Sequence, residues 1–205
     1  MTEITQILKE LHGREPEAVH EKSAKDAAVL IPLLEKDGEW HMLFEVRSAG
    51  IRQPLEICFP GGRIEECETA GEAAVRETSE ELCIAAEQIR VIGGMHRMMR
   101  SSGGFITSYL GILSGYEGTF SVQECDHIFT VPLDELLASP CRIYKGRTVS
   151  VRPDDFPYDK IPHGKDYPFR SADKSWYFYE TAGGVIWGIT GEILYRCLEV
   201  LGKKD

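Results

Sequence analysis

The chain has 205 residues, 42% of them hydrophobic, and a formal net charge of −10. That length and apolar content suit one domain with a substantial core and give no cue for disorder. The acidic balance argues against general nucleic-acid affinity, which relies on basic surface, and no apolar run is long enough to span a bilayer.

Residues 2–12 carry Ile4, Ile7, Leu8 and Leu11 at helical spacing, and Gly13 follows as a stop. This predicts an amphipathic helix inside an N-terminal extension over residues 1–25. The stretch lacks the basic start and apolar core of a signal peptide, and the six cysteines show no Cys-x-x-Cys spacing. A cytoplasmic protein with reduced thiols is expected. Residues 26–34 and 40–47 read as strands joined by Glu35-Lys36-Asp37-Gly38-Glu39, in which Asp-Gly suits a hairpin turn. An apolar run ending in Ile57 and Cys58 leads into Phe59-Pro60-Gly61-Gly62, which reads as a strand, a tight turn and a close backbone approach to a ligand. Thr69 and Glu72 then form a capping-box pattern, so a helix begins near Ala70. Further strands are predicted at 91–96, 105–113, 127–131, 143–144, 149–152 and 176–179. Residues 152–173, rich in Pro, Asp, Tyr and Lys, read as a surface loop. There Tyr158, His163, Lys165 and Tyr167 are candidate substrate contacts, with plain surface decoration the stronger reading. Residues 181–205 close the domain with a strand and a helix.

On the helix from Ala70, Ala74, Val75, Thr78 and Leu82 fall on one side, and Glu77, Glu80 and Glu81 on another. Like charges packed side by side repel, and a divalent cation with oxygen ligands gives them a reason to gather. Taken alone, Glu-x-x-Glu-Glu is more often a solvated acidic face. Arg76, beside Glu77 and four residues before Glu80, is placed to hold a carboxylate by a charge-assisted hydrogen bond.

With Gly62, Glu68, Arg76, Glu77, Glu80, Glu81 and Ile84 at fixed spacing, the segment resembles the Nudix box, G-x5-E-x7-R-E-U-x-E-E-x-G-U with U apolar. Thr78 departs at an apolar position, and Cys83 replaces a glycine. The resemblance implies an α/β Nudix fold, an α/β/α sandwich with a mixed central sheet and a catalytic loop-helix-loop. It also implies hydrolysis of a nucleoside diphosphate derivative with Mg2+ or Mn2+. Carried over by position, Glu77, Glu80, Glu81 and Gly62 would bind metal, Glu77 or a neighbour would help activate water, Arg76 would orient Glu77, and Glu68 would brace Arg76. The family often takes a general base from a later loop; here the candidates are Glu124 and Asp126, with ordinary loop acids an equal reading.

Residues 47–62, RSAGIRQPLEICFPGG, resemble the signature of coenzyme A pyrophosphatases within that family. Arg47, Ser48, Arg52, Pro54 and residues 59–62 match, whereas Leu55 stands where the family has glycine, and the spacer is one residue short. Arg47, Ser48 and Arg52 are thus the substrate-binding candidates, the arginines suited to bidentate phosphate contacts. The resemblance implies coenzyme A or its thioesters as substrate. ADP-ribose or another nucleoside diphosphate derivative is the alternative among hydrolases, and a nucleotide-sensing regulator the alternative outside them. A prenyl-diphosphate isomerase would need cysteine and histidine motifs that are not visible. The partner expected is a small nucleotide, not nucleic acid or membrane, with a homodimer left open.

Overall fold

The computed structural model describes residues 26–100 and 103–202. The helix predicted over residues 2–12 lies outside the described residues. Strands β1 (Ala27–Lys36) and β2 (Glu39–Arg47) form the expected hairpin. Asp37 and Gly38 at its tip take φ of 55° and 83°, the positive angles that match a two-residue turn to strand twist.

The hairpin pairs only near its tip, from Leu33 opposite Met42 to Lys36 opposite Glu39. Beyond that point β1 and β2 diverge, and two short strands fill the gap: β3 (Ile57–Cys58) on β2 and β4 (Gly61–Arg63) on β1. The Leu30 amide donates to the Pro60 carbonyl at 2.9 Å. The turn at residues 59–62 is therefore wedged into the centre of the sheet. On the far side of β1, β6 (Phe105–Leu113) runs parallel and pairs in turn with antiparallel β5 (Ile89–Met99). Strand β7 (Cys125–Pro132) lies antiparallel along the other edge of β2. The result is the mixed sheet expected, in the order β3-β2-β1-β6-β5 with β4 and β7 beside it.

Strand alternation divides the core. Ala27, Val29, Ile31, Leu33, Met42 and Phe44 face helix α3 (Gly188–Leu201), packing with Ile193, Leu194, Cys197 and Leu198. Ala28, Leu30 and Leu43 face the opposite way, under Ala73, Ala74 and Leu82 of helix α1 (Ala70–Leu82). Each fully buried Leu or Ile contributes roughly 1.5–3 kcal/mol. Helices cover both faces, which makes the α/β/α sandwich. A short helix α2 (Leu133–Ala138) follows β7. A second sheet, β8 (Arg142–Thr148), β9 (Ala172–Thr181) and β10 (Gly184–Ile186), is antiparallel throughout. It meets α3 where Gly191 packs so closely on the Tyr177 carbonyl that a side chain would collide.

Two expectations need correction. Residues 149–152 are not a strand: β8 ends at Thr148, and Val149 and Val151, which produced the pattern, are exposed. The loop after them is organised by its own side chains, with Phe156 against Tyr158 and Phe169, Tyr167 against Phe169, and the Arg152 guanidinium 3.2 Å above the Phe169 ring. Tyr158 and Tyr167 thus pack within that loop. Finally, β4 reads as a turn in sequence because two of its three residues are glycines, which carry no alternating side chains. Among the described residues no helix is long and apolar enough to cross a membrane.

Candidate active site

Helix α1 starts as its sequence predicts. The Thr69 hydroxyl accepts from the Glu72 amide at 3.2 Å, and the Glu72 carboxylate accepts from the Thr69 amide at 2.8 Å. This fixes the register that sets Arg76 over the preceding loop. Arg76 grips Glu68 with two prongs, Nε to Oε1 at 2.8 Å and Nη2 to Oε2 at 3.0 Å, while Nη2 also donates to the Arg63 carbonyl at 3.0 Å. Its remaining nitrogen, Nη1, reaches Glu77 at 3.0 Å and Glu80 at 3.5 Å. The guanidinium holds the Glu68 carboxyl below the usual range, and Glu68 with Glu77 pushes the Arg76 pKa up.

The three helix carboxylates do not share one face. Successive residues differ by about 100° on a helix, so Glu80 turns to solvent while Glu81 turns under the helix and is 8% exposed. Glu77 lies between them, half-buried. Glu81 accepts a hydrogen bond from the Gly61 amide at 2.8 Å, which ties α1 to the wedged turn. Burial, then the neighbouring Glu45, raises the Glu81 carboxyl to about 9. Burial likewise raises Glu77, against the opposing pull of Arg76. Gly62 sits directly beneath Glu77, where any Cβ would fall on the carboxyl group. A side chain at position 62 would displace the Glu77 carboxyl group from this place.

Glu45 is the site residue that sequence reasoning missed. It is 1% exposed, and burial raises its carboxyl to about 7; the hydrogen-bonded Cys125 thiol and Arg47 act to lower it, and Glu124 to raise it. The available signal was an acid inside the apolar run Met42-Leu43-Phe44-Glu45-Val46.

The other candidates lie around this centre. Arg47 closes β2 with its Nε donating to the Arg52 carbonyl at 3.0 Å, and its charge acts on both Glu45 and Glu81. The Ser48 amide donates to the Glu124 carbonyl at 2.9 Å, joining the two candidate loops, and the Ser48 hydroxyl accepts from the Gly50 amide. Arg52 and Glu124 are exposed; Asp126 pairs with His127 at 2.8 Å.

The departures from the family pattern have local explanations. Thr78 is buried with its hydroxyl donating to the Ala74 carbonyl at 2.6 Å, so the site of an apolar residue tolerates it. Cys83 and Leu55 adopt φ of 53° and 60°, the left-handed conformation a glycine would take. The backbone path is kept at a cost in strain.

Among the described residues, no three acidic, His or Cys side chains converge as a preformed cation cage. The donor chemistry nonetheless fits a hard cation. Glu77 and Glu81 offer hard carboxylate oxygens at the inner side of the helix, and the Glu45 Oε1 is buried without a hydrogen-bond partner.

A bracing arginine, inward acids and a glycine turn pressed against them agree with the family match: residues 24–170 fit the NUDIX domain model, and the chain belongs to the Nudix family. It is an enzyme of the class that hydrolyses phosphorus anhydrides, and such hydrolases generally use divalent metals such as Mg2+ or Mn2+. Among similar proteins, Nudix hydrolase 3 of Caenorhabditis elegans is 30% identical over 210 residues, spanning 96% of this chain and 83% of that protein. The mouse (Mus musculus) Peroxisomal coenzyme A diphosphatase NUDT7 is 32% identical over 133 residues, 63% of this chain and 56% of its own length. An uncharacterized Nudix hydrolase NudL of Enterobacter sp. (strain 638) is 27% identical over 182 residues, 88% of this chain and 84% of that one.

Proposed function

We propose that this chain, acting as a single Nudix hydrolase domain in the cytoplasm, cleaves the diphosphate of coenzyme A or its thioesters. The observation that carries the reading is Arg76, gripped by Glu68 while it fixes Glu77, beside a Glu81 tied to the Gly61 amide. Mg2+ or Mn2+ bound by Glu77, Glu80, Glu81 and the Gly62 backbone would neutralise diphosphate charge and lower the pKa of bound water. Water oxygen bonds to phosphorus, the bridging P–O bond breaks, and the products are a phosphopantetheine and adenosine 3',5'-bisphosphate. Arg76 orients Glu77, Glu68 braces Arg76, and Glu124 on its exposed turn is the candidate to accept the proton of the attacking water.

Three features support the substrate. Arg47 at the end of β2 acts on the buried acids, and Ser48 and Arg52 follow it on the adjoining loop, where guanidinium groups suit the 3'-phosphate. Leu55 keeps the backbone path of the glycine it replaces. Next to that loop lies a cleft of about 340 Å3, lined by Leu55, Ile57, Val185 and Trp187 among others, suited to a pantetheine arm. The mouse relative, by its name a coenzyme A diphosphatase, points the same way. The six cysteines are all free, as a reducing compartment allows. The test is a panel of coenzyme A, acetyl-coenzyme A, ADP-ribose, NADH and dinucleoside polyphosphates, with products separated by chromatography. Coenzyme A or its thioester should have the highest kcat/KM; faster turnover of ADP-ribose would overturn the substrate and leave the reaction class standing.

A further inference from the structure

Glu45 has no part in the roles above, yet it is a buried acid near the site with one oxygen left unpartnered. It follows Leu43 by two positions on β2, so strand alternation turns it to the face that α1 covers. It is 1% exposed, and its Oε1 has no hydrogen-bond partner. A carboxylate in that position is strongly unfavourable unless something positive completes it. Its charged surroundings are mostly of its own sign. Glu81 from α1 and Glu124 from the turn before β7 bear on it, the Cys125 thiol is hydrogen-bonded to it, and Cys58 lies across from it on β3. Among the described residues Arg47 is the cation that acts on Glu45 and Glu81, and its Nε is committed to the Arg52 carbonyl.

We propose that Glu45 is a further carboxylate of the cation site, reaching a divalent ion from the sheet while Glu77 and Glu81 reach it from the helix. The proposal rests on the hydrolase reading of α1 and adds a ligand from a different layer. A cation gripped from both layers ties α1 to β2, so metal binding strengthens the fold as well as the site. Hard carboxylate oxygens select Mg2+ or Mn2+ over softer ions.

Mn2+ binding without substrate, followed by the electron paramagnetic resonance signal of free Mn2+, tests this directly. Glu45→Gln keeps the shape and removes the charge; Glu45→Thr, a good strand former, guards against a failure of the first variant to fold. Both should bind Mn2+ roughly 10- to 100-fold more weakly. Both should also unfold at a higher temperature than the wild type in chelator and gain less from added Mn2+. Unchanged Mn2+ affinity in the Glu45 variants overturns the assignment. If Glu81→Gln then loses affinity, the helix reading survives alone; normal affinity in all three variants overturns both.

Discussion

The outer and inner sides of α1 carry charge in opposite ways. Outside, Arg76 meets Glu68, Glu77, Glu80 and the Arg63 carbonyl, so its charges are paired as the chain folds. Inside, Glu81 and Glu45 are buried acids with one backbone amide and one nearby arginine between them. In the outer network Glu68 and Arg76 hold Glu77, a proposed ligand, at a fixed angle. The inner pair costs stability as it stands, and under the proposed metal site a bound cation would offset that cost. The contrast explains why one helix needs both an arginine clamp and unclamped acids.

The largest effect should come from the inner side. Glu81→Gln removes a proposed ligand, and kcat/KM with coenzyme A and Mg2+ should fall on the order of 1,000-fold, as loss of several kcal/mol of transition-state charge stabilisation implies. Near-wild-type turnover at limiting metal would erase the distinction between the two sides. On the outer side, Arg76→Ala leaves the ligands present but Glu77 unheld. A drop of about 100-fold in kcat, typical of misplacing a catalytic group, is expected with Mn2+ affinity reduced much less. Equal losses in both quantities would mean that Arg76 does more than orient.

The pH dependence of the chelator-treated protein sharpens the contrast further. Glu45 and Glu81 stand at about 7 and about 9 in the folded state, against an ordinary 4.5. Between about 4.5 and 9 the folded state therefore binds more protons than the unfolded state, and stability falls as pH rises through that window. Thermal unfolding followed by circular dichroism should show the decline, and saturating Mn2+ should flatten it. The smallest effect belongs to the two strained positions. Cys83→Gly and Leu55→Gly relieve left-handed backbone, offset by the greater unfolded-state freedom of glycine, for a net gain of about 1 kcal/mol at most. Denaturant midpoints measure it.

The outer network was legible in sequence: helical spacing puts Arg76 beside Glu77 and Glu80, and the family resemblance implied that Glu68 braces Arg76. Glu68, Arg76 and Glu77 are joined by one turn and one helix, and the capping box fixes where the helix starts. The hairpin and β6 were legible for a similar reason: Asp-Gly and an alternating run are local signals. The inner pair depends on how layers stack. In Met42-Leu43-Phe44-Glu45-Val46, apolar residues occupy both faces of β2, so nothing local says that Glu45 ends up covered. Likewise Glu81 is distinguished from Glu80 by the phase with which α1 meets the sheet, which 100° per residue allows but does not choose. Residues 149–152 misled in the opposite sense, showing alternation with no layer to cover it.

The central claim, that acids turned under α1 serve metal-dependent diphosphate cleavage, is tested most directly by release of adenosine 3',5'-bisphosphate from coenzyme A. Wild type and Glu81→Gln are compared at equal, limiting Mn2+. Steady release by the wild type and almost none by the variant is the predicted result. Equal release by both, or none by the wild type at any metal concentration, would contradict the account.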